Sequence, residues 1–247
     1  MKLALFGQNI SYSLSPKIHQ TWMKQYGLEG SYEIYDCLED GLPRAFDLFD
    51  GGNVTIPHKV NVLQLIDALT PLAEHVGAVN TIYKDQGKWV GDNTDAMALL
   101  EMIPESMSRI VVLGRGGAAR AVKAVGDLRG QDVFFISRDQ WENRHRLIAD
   151  ADMLINATPL GLMGEGCPVD FLPDQEFLVM DMVYNPRQTP LLNLACERGH
   201  KVLDGVEMLY RQARHSFNRW WGILPAFELT ACEDKHTNEN KPKSNQA

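Results

Sequence analysis

Ile110-Val111-Val112-Leu113-Gly114-Arg115-Gly116-Gly117-Ala118-Ala119 reads as a buried strand, a glycine turn and the start of a helix. Four consecutive apolar residues suit a strand covered on both faces. Gly114 permits a tight turn, Gly116 lets backbone N–H groups approach a pyrophosphate, and Ala119 keeps the helix close to the sheet. The helix that opens at Gly117 and Ala118 turns its partial positive charge toward the phosphates. A glycine triplet alone could be no more than a tight turn. The strand before it and the helix after it favour nucleotide binding.

Outward from this stretch, short apolar runs at 133–136, 153–155, 177–180 and 202–203 predict further buried strands. Between them lie helical patterns such as Ala118, Ala121, Val122 and Val125, and the alternation implies a parallel α/β architecture. The first half repeats the theme, with strands expected at 3–6, 32–35, 53–56 and 79–83. Ser15-Pro16 reads as an N-cap and first helical residue, followed by Ile18, Trp22, Met23 and Tyr26 on one face. Pro57 is expected to open a helix with the stripe Val62, Leu65, Ile66 and Leu69, and Ala96, Leu99, Leu100 and Ile103 mark another. A last helix over 206–220 carries Val206, Leu209, Tyr210, Ala213, Phe217 and Trp220 on one wide face. From Glu233 the chain turns polar, and disorder is expected over 233–247.

Composition narrows the function classes. With 247 residues, 45% of them hydrophobic, the chain can bury a sizeable core, which excludes wholesale disorder. A net charge of −8 argues against a nucleic-acid partner or an anionic membrane surface. No run approaches the roughly 18 apolar residues of a membrane span. The start, Met1-Lys2-Leu3-Ala4-Leu5-Phe6-Gly7, reads as a strand and not as a signal peptide. Cys37, Cys167, Cys196 and Cys232 are scattered, which suits a reducing cytosol and offers neither a disulfide framework nor a metal site.

Several polar residues stand where packing does not ask for them. Ser137-Arg138-Asp139 follows the strand at 133–136, and Arg138 favours a 2′-phosphate and so NADP. Asp139 either caps the next helix, with Glu142 at capping-box spacing, or tolerates NAD. Ser11, Ser13 and Ser15 place hydroxyls before a helix start, a setting for a carboxylate; capping by Ser15 explains one of the three. Lys59 reads either as a solvated surface charge or, facing a cleft at a helix start, as a proton-transferring lysine. Gly91-Asp92-Asn93-Thr94-Asp95 holds more polar groups than capping by Asp92 or Thr94 can employ, and Asn80 sits within a strand-like run.

These residues carry a resemblance. Ser13-Leu14-Ser15-Pro16 with Ile18-His19, Asn53-Val54-Thr55-Ile56-Pro57-His58-Lys59, Gly77-Ala78-Val79-Asn80-Thr81 and Gly91-Asp92-Asn93-Thr94-Asp95 come in that order. Asn156-Ala157-Thr158-Pro159-Leu160-Gly161, Asp181-Met182-Val183-Tyr184-Asn185-Pro186, Thr189-Pro190-Leu191 and the segment 205–212 follow. Over residues of about 3 to 228 the chain resembles the shikimate dehydrogenase family. The resemblance implies two α/β domains, a substrate-binding one formed by 1–94 with 205–232 and an NADP-binding Rossmann domain with a parallel sheet over 95–204. It implies reversible NADP-linked oxidation of shikimate to 3-dehydroshikimate, a step of chorismate and aromatic amino-acid biosynthesis, in the cytoplasm. Lys59 and Asp95 would form the catalytic pair. Ser13, Ser15, Thr55 and Tyr184 would hold the substrate carboxylate, and Asn80 and Gln212 its ring hydroxyls. Gly114, Arg115, Gly116, Gly117, Ala118, Ser137, Arg138, Asn156 and Thr158 would bind the cofactor.

The chain departs from the family pattern at Arg115, at Ser137-Arg138-Asp139, and at Ala96 and Ala98. A quinate/shikimate dehydrogenase using NAD is therefore the alternative, with a catalytically silent nucleotide-binding regulator behind it. A short-chain dehydrogenase would need Tyr-x-x-x-Lys, and no tyrosine here has lysine four positions on. P-loop and zincin motifs are absent from the sequence. The expected partner is a small molecule, with no nucleic acid or membrane, bound by a monomer or homodimer.

Overall fold

A computed structural model of the chain describes residues 1–226, so the tail expected at 233–247 lies outside the described residues. The first half runs β1 (Lys2–Gly7), α1 (Ser15–Gln25), β2 (Ser31–Asp36), α2 (Leu42–Leu48), β3 (Gly51–Val54), β4 (Ala68–Leu69), α3 (Pro71–Val76), β5 (Thr81–Asp85) and β6 (Lys88–Asp92). Then α4 (Thr94–Met102) leads into β7 (Arg109–Leu113), α5 (Gly117–Arg129), β8 (Asp132–Ile136), α6 (Arg144–Ala149) and β9 (Met153–Asn156). The chain continues through β10 (Leu178–Asp181), α7 (Pro190–Glu197), β11 (Lys201–Leu203) and α8 (Gly205–Trp221).

Two sheets result. The five-stranded one has the order β11-β10-β9-β7-β8 and is parallel throughout, as the apolar runs predict. The six-stranded one has the order β2-β1-β3-β5-β6-β4 and is mixed. There β1 is parallel to β2 and β3, but β5 runs antiparallel to both neighbours. The β5–β6 pair is joined by a two-residue hairpin, with Gln86 at φ 49° and Gly87 at φ 79°. Positive φ at both turn positions matches the twist of the flanking strands, and glycine adopts it without a Cβ penalty.

Each sheet is covered on both faces. Alternation along β1 turns Leu3 and Leu5 toward Trp22 of α1 and Phe217 and Trp220 of α8. Ala4 and Phe6 face Leu42 and Ala45 of α2. The late helix α8 therefore completes the core of the first sheet. In the second sheet Ile110, Val112, Met153 and Ile155 pack against α4 and α5. Val111, Leu113 and Leu154 pack against Ile148 of α6 and Leu191 and Leu192 of α7. Glu101 of α4 ties to α8 through Arg211 Nη1 and His215 Nε2, both at 2.7 Å.

Four local expectations need correction. The segment after Pro57 is not an α-helix: a turn leads into a 3-10 stretch, Asn61–Leu65, and then the edge strand β4. There Asp67 N–H donates to Trp89 O, and Ala68 and Leu69 pair with Val90 and Gly91. Ladder bonds to β6 thus take Ile66 and Leu69 out of the helical stripe. Ser15 is the first residue of α1 and not its cap; Leu14 holds that position without a side-chain bond. The cap of α4 is Asn93, whose Oδ1 accepts from Ala96 N–H at 2.9 Å, and not Asp92 or Thr94. Asp139 does not cap: Ser137 precedes the 3-10 stretch Arg138–Asn143, and the Asp139 carboxylate accepts a short hydrogen bond from the Ser137 hydroxyl. Among the described residues no helix is long and apolar enough to cross a membrane, and no cluster of metal-ligating side chains occurs.

Candidate active site

Lys59 sits on the turn after β3, where its carbonyl accepts from Val79 N–H at 2.8 Å. That backbone bond places the lysine beside Asn80. No helix starts at Lys59 itself, so the lysine does not head a helix of its own. Its Nζ donates to Asp95 Oδ2 at 2.5 Å, and both side chains are largely buried, 16% and 9% exposed. Asp95 lies in the first turn of α4, and its second oxygen, Oδ1, accepts from Asn80 Nδ2 at 2.9 Å. Both carboxylate oxygens are thus engaged, one by a cation and one by an amide.

The orientation of the Asn80 amide is fixed by partners with a single role each. Thr94 N–H can only donate, and it reaches Asn80 Oδ1 at 2.7 Å; the carboxylate of Asp95 can only accept, so Nδ2 must face it. Behind Asn80 lies a buried polar network absent from the expected site. Asn53 Nδ2 donates to Ser216 Oγ at 2.8 Å and to Thr81 Oγ1 at 3.1 Å, and Tyr32 OH donates to Asn53 Oδ1 at 2.8 Å. The hydroxyls of Thr81, Thr94 and Ser216 meet within 3.0 Å of one another. The signal in the sequence was the presence of polar residues on faces that otherwise read as core: Asn53 in a strand, and Ser216 one turn after Gln212 in α8.

The expected carboxylate cradle gathers where β1 meets α1. Ser13 Oγ accepts from Ser15 N–H at 3.2 Å and donates to Ser15 Oγ at 3.3 Å. Tyr184, on the segment after β10, reaches Ser13; burial pushes its phenol up, and the Ser13 hydroxyl opposes the shift. Thr55 follows β3, its N–H donating to Phe6 O at 2.8 Å. Gln212, buried in α8, turns its amide nitrogen onto Leu209 O at 2.8 Å. His19, one turn along α1, is fully buried and stacks on Tyr32 with ring centroids 4.4 Å apart. Neither of its ring nitrogens has a hydrogen-bond partner, and burial pushes the imidazole down to about 3.

The second crevice opens at the C-terminal ends of β7 and β9. Gly114 has φ 105°, and a Cβ there would meet Ala157 O and Thr158 Cγ2 at 3.2 Å. Gly116 precedes α5 with no side-chain cap and open space where a Cβ would be, and the first turn of this 13-residue helix holds no acid. Uncapped N–H groups, a helix N-terminus and an unobstructed approach fit a dinucleotide pyrophosphate. Ala118 continues that first turn. Arg115 and Arg138 are exposed beside it, and Arg115 Nη2 reaches Gln140 Oε1 at 3.4 Å. Asn156 and Thr158 are occupied internally. Asn156 Nδ2 donates to Leu160 O and Asp181 Oδ1, both at 2.9 Å, while its Oδ1 accepts from Thr158 Oγ1 at 2.6 Å. They shape the wall of the crevice.

The two crevices adjoin. A Cβ on Gly117, the first residue of α5, would lie 3.0 Å from Lys59 Cδ. A phosphate-binding helix start and an ion-paired lysine therefore share one cleft, an arrangement suited to hydride transfer with a proton relay.

Comparison with known proteins points the same way. Residues 5–82 match the family model described as the shikimate dehydrogenase substrate binding domain. A shikimate dehydrogenase (NADP(+)) of Chelativorans sp. (strain BNC1) is 38% identical, over 89% of this chain and 90% of that protein. One of Exiguobacterium sp. (strain ATCC BAA-1283 / AT1b) is 34% identical, over 91% of this chain and 94% of its own. Among solved structures, shikimate 5-dehydrogenase from Thermus thermophilus, in complex with NADP(H) and shikimate, superposes with a TM-score of 0.82. It is 33% identical, over 92% of this chain and 95% of that one.

Proposed function

The chain belongs to the shikimate dehydrogenase family, and on that premise we propose that it catalyses the reversible NADP-dependent oxidation of shikimate to 3-dehydroshikimate, with Lys59 and Asp95 as its catalytic pair. The observation that carries the reading is the Lys59–Asp95 pair at 2.5 Å, packed against the first residue of α5.

Oxidation of a secondary alcohol removes a hydride from carbon and a proton from oxygen. The nicotinamide, when bound, supplies the hydride acceptor, and the donor in the reverse direction. In the oxidation direction Lys59 acts as the free amine, taking the hydroxyl proton on Nζ to become the ammonium, and in the reduction direction the ammonium gives that proton to the carbonyl oxygen. Asp95 holds the lysine in place and stabilises its cationic form through a charge-assisted hydrogen bond. Asn80 keeps Asp95 oriented and is one of the groups that meet the ring hydroxyls. Ser13, Ser15, Thr55 and Tyr184 receive the substrate carboxylate with hydroxyl donors, so a net charge of −8 is no obstacle to an anionic ligand.

Gly114, Gly116, Gly117 and Ala118 would offer their backbone to the pyrophosphate, while Ser137, Arg138 and Arg115 would hold the adenosine ribose and its 2′-phosphate. Asn156 and Thr158 would form the wall of the cofactor crevice. The division into 1–94 with 205–232 and a cofactor domain over 95–204 is supported by α8 completing the first sheet, with 227–232 lying outside the described residues. Every residue named comes from one chain, so a monomer or a homodimer can carry the site.

The test is nicotinamide reduction followed by absorbance with shikimate or quinate crossed against NADP or NAD. Turnover is expected to be fastest with shikimate and NADP. No turnover in any combination overturns the reading, and faster turnover with quinate and NAD selects the alternative.

A further inference from the structure

Ser216 is fully buried on α8, one helical turn beyond Gln212. Apart from Gln212, its neighbours on that face are apolar: Ala213, Phe217 and Trp220, all buried. Packing alone asks for alanine there, and alanine is also the better helix former. A hydroxyl at this point therefore needs its own explanation, and its hydrogen bonds supply one.

Ser216 Oγ lies 2.8 Å from Asn53 Nδ2, 2.8 Å from Thr81 Oγ1, 3.0 Å from Thr94 Oγ1 and 3.1 Å from the carbonyl of Gln212. A hydroxyl has one proton to give and two lone pairs to receive. Asn53 Nδ2 can only donate and the Gln212 carbonyl can only accept, so Asn53 takes one lone pair of Ser216 and the carbonyl offers a place for its proton. The Thr81 hydroxyl has its own acceptor in Asn80 Oδ1 at 3.1 Å, and with its proton given there the remaining acceptor position on Ser216 suits the proton of Thr94. Thr94 Oγ1 itself accepts from Asn80 Nδ2 at 2.9 Å, the same nitrogen that donates to Asp95 Oδ1.

We infer that Ser216 is a positioning residue for the Lys59–Asp95 pair, acting through the hydroxyl of Thr94 and the amide of Asn80. The bonds run from α8 to Thr94, from Thr94 to Asn80, from Asn80 to Asp95 and from Asp95 to Lys59. Ser216 touches neither the reacting atoms nor the cleft. It gives the Thr94 hydroxyl a fixed acceptor on α8, the helix that also carries Gln212, and so ties the substrate-facing helix to the catalytic carboxylate. Without it, the Thr94 proton falls back on Thr81 Oγ1 at 3.0 Å or on Asn80 Oδ1 at 3.1 Å, and the latter competes with the bond that orients the amide.

The inference rests on the proposed reaction and is tested within it. Ser216→Ala, Thr94→Val and the double variant are compared with wild type, with melting temperature and circular dichroism recorded for each. Ser216→Ala is expected to lower kcat about fivefold with KM for shikimate changed less than about twofold, the scale of one lost hydrogen bond in the transition state. In the Thr94→Val background the same substitution is expected to change kcat by less than about 1.5-fold, because its route to Asn80 is already cut. Wild-type kcat in Ser216→Ala overturns the role, as does an equal loss in both backgrounds, which marks a packing effect alone. If wild type itself turns over no shikimate, the proposed reaction and this role fail together; if wild type turns over and Ser216→Ala matches it, only this role fails.

Discussion

Both sheets change direction at the same topological point, and they present different chemistry there. In the first, β1 lies between β2 and β3; in the second, β7 lies between β8 and β9. Such switch points open a crevice beyond the strand ends, and both crevices here are candidate binding sites. The first is furnished with side chains: Lys59, Asp95 and Asn80 are locked by bonds of 2.5–2.9 Å and backed by the Asn53–Ser216 network. The second is furnished with backbone: a glycine turn and an uncapped helix start, with two exposed arginines at its rim. The difference follows from the ligands. A polyhydroxy ring needs distinct donors and acceptors in three dimensions, whereas a pyrophosphate needs only N–H groups and positive potential.

The largest expected effect lies on the side-chain crevice. Lys59→Ala removes the proposed proton carrier, and kcat is expected to fall by about 10²–10⁴-fold. Titration calorimetry should show NADP affinity within about twofold of wild type, because backbone N–H groups hold the nucleotide. A comparable loss of NADP binding would break the contrast.

Next comes acid stability, which also sets the two halves apart. His19 is held near pKa 3 by burial, against an ordinary value of 6.5. Below pH 6.5 the unfolded chain therefore takes up a proton that the folded chain refuses. This stability is complete above pH 6.5 and falls by about 1.4 kcal/mol per pH unit on the way down toward pH 3. Urea unfolding between pH 7 and pH 4.5 should show that excess slope in wild type and lack it in His19→Leu, whatever the variant's absolute stability. Equal slopes would mean that the imidazole finds a proton-compatible setting in the fold.

On the backbone crevice, Gly114→Ala forces a side chain to φ 105° with its Cβ 3.2 Å from Ala157 O. Strain of about 1–3 kcal/mol is expected, enough to weaken NADP binding about tenfold once the turn relaxes away from its phosphate-binding shape. Shikimate affinity should stay unchanged. Parallel loss of both ligands would show that the two crevices are mechanically one.

How much of this was legible in the sequence follows the same divide. The turn of the second crevice is legible almost directly, because a glycine turn between a buried strand and a helix is a local pattern held within 110–119. The first crevice is not. Lys59, Asn80 and Asp95 are 36 residues apart at the extremes and meet only through the fold, so their roles came from the family resemblance. Asn53, Thr81 and Ser216 were missed because each is a single polar residue whose partners lie on other elements, Ser216 more than 120 positions from Thr94. The helix expected after Pro57 failed for a related reason: the apolar spacing was helical, but non-local pairing with β6 decided the backbone.

The last predicted effect, equal in size to that of Gly114→Ala, tests the rim, where the backbone crevice does use side chains. Arg138 opens the 3-10 stretch after β8 as an exposed cation, with Arg115 reaching the same stretch at Gln140. Between them Asp139 is held below the usual carboxylate range, chiefly by the Ser137 hydroxyl, so it carries full negative charge at neutral pH. A 2′-phosphate placed there gains from Arg138 and Arg115 and is opposed by Asp139, which leaves the preference for NADP over NAD a difference of opposing terms. Arg138→Ala removes one favourable contribution. At so exposed a position a charge-assisted contact is worth the low end of its range, and NADP affinity should weaken about tenfold. NAD lacks the phosphate, so its affinity should change less than about twofold in the same titration. An equal loss for both nucleotides would place Arg138 on the pyrophosphate instead, and the second crevice would then rely on side chains as heavily as the first.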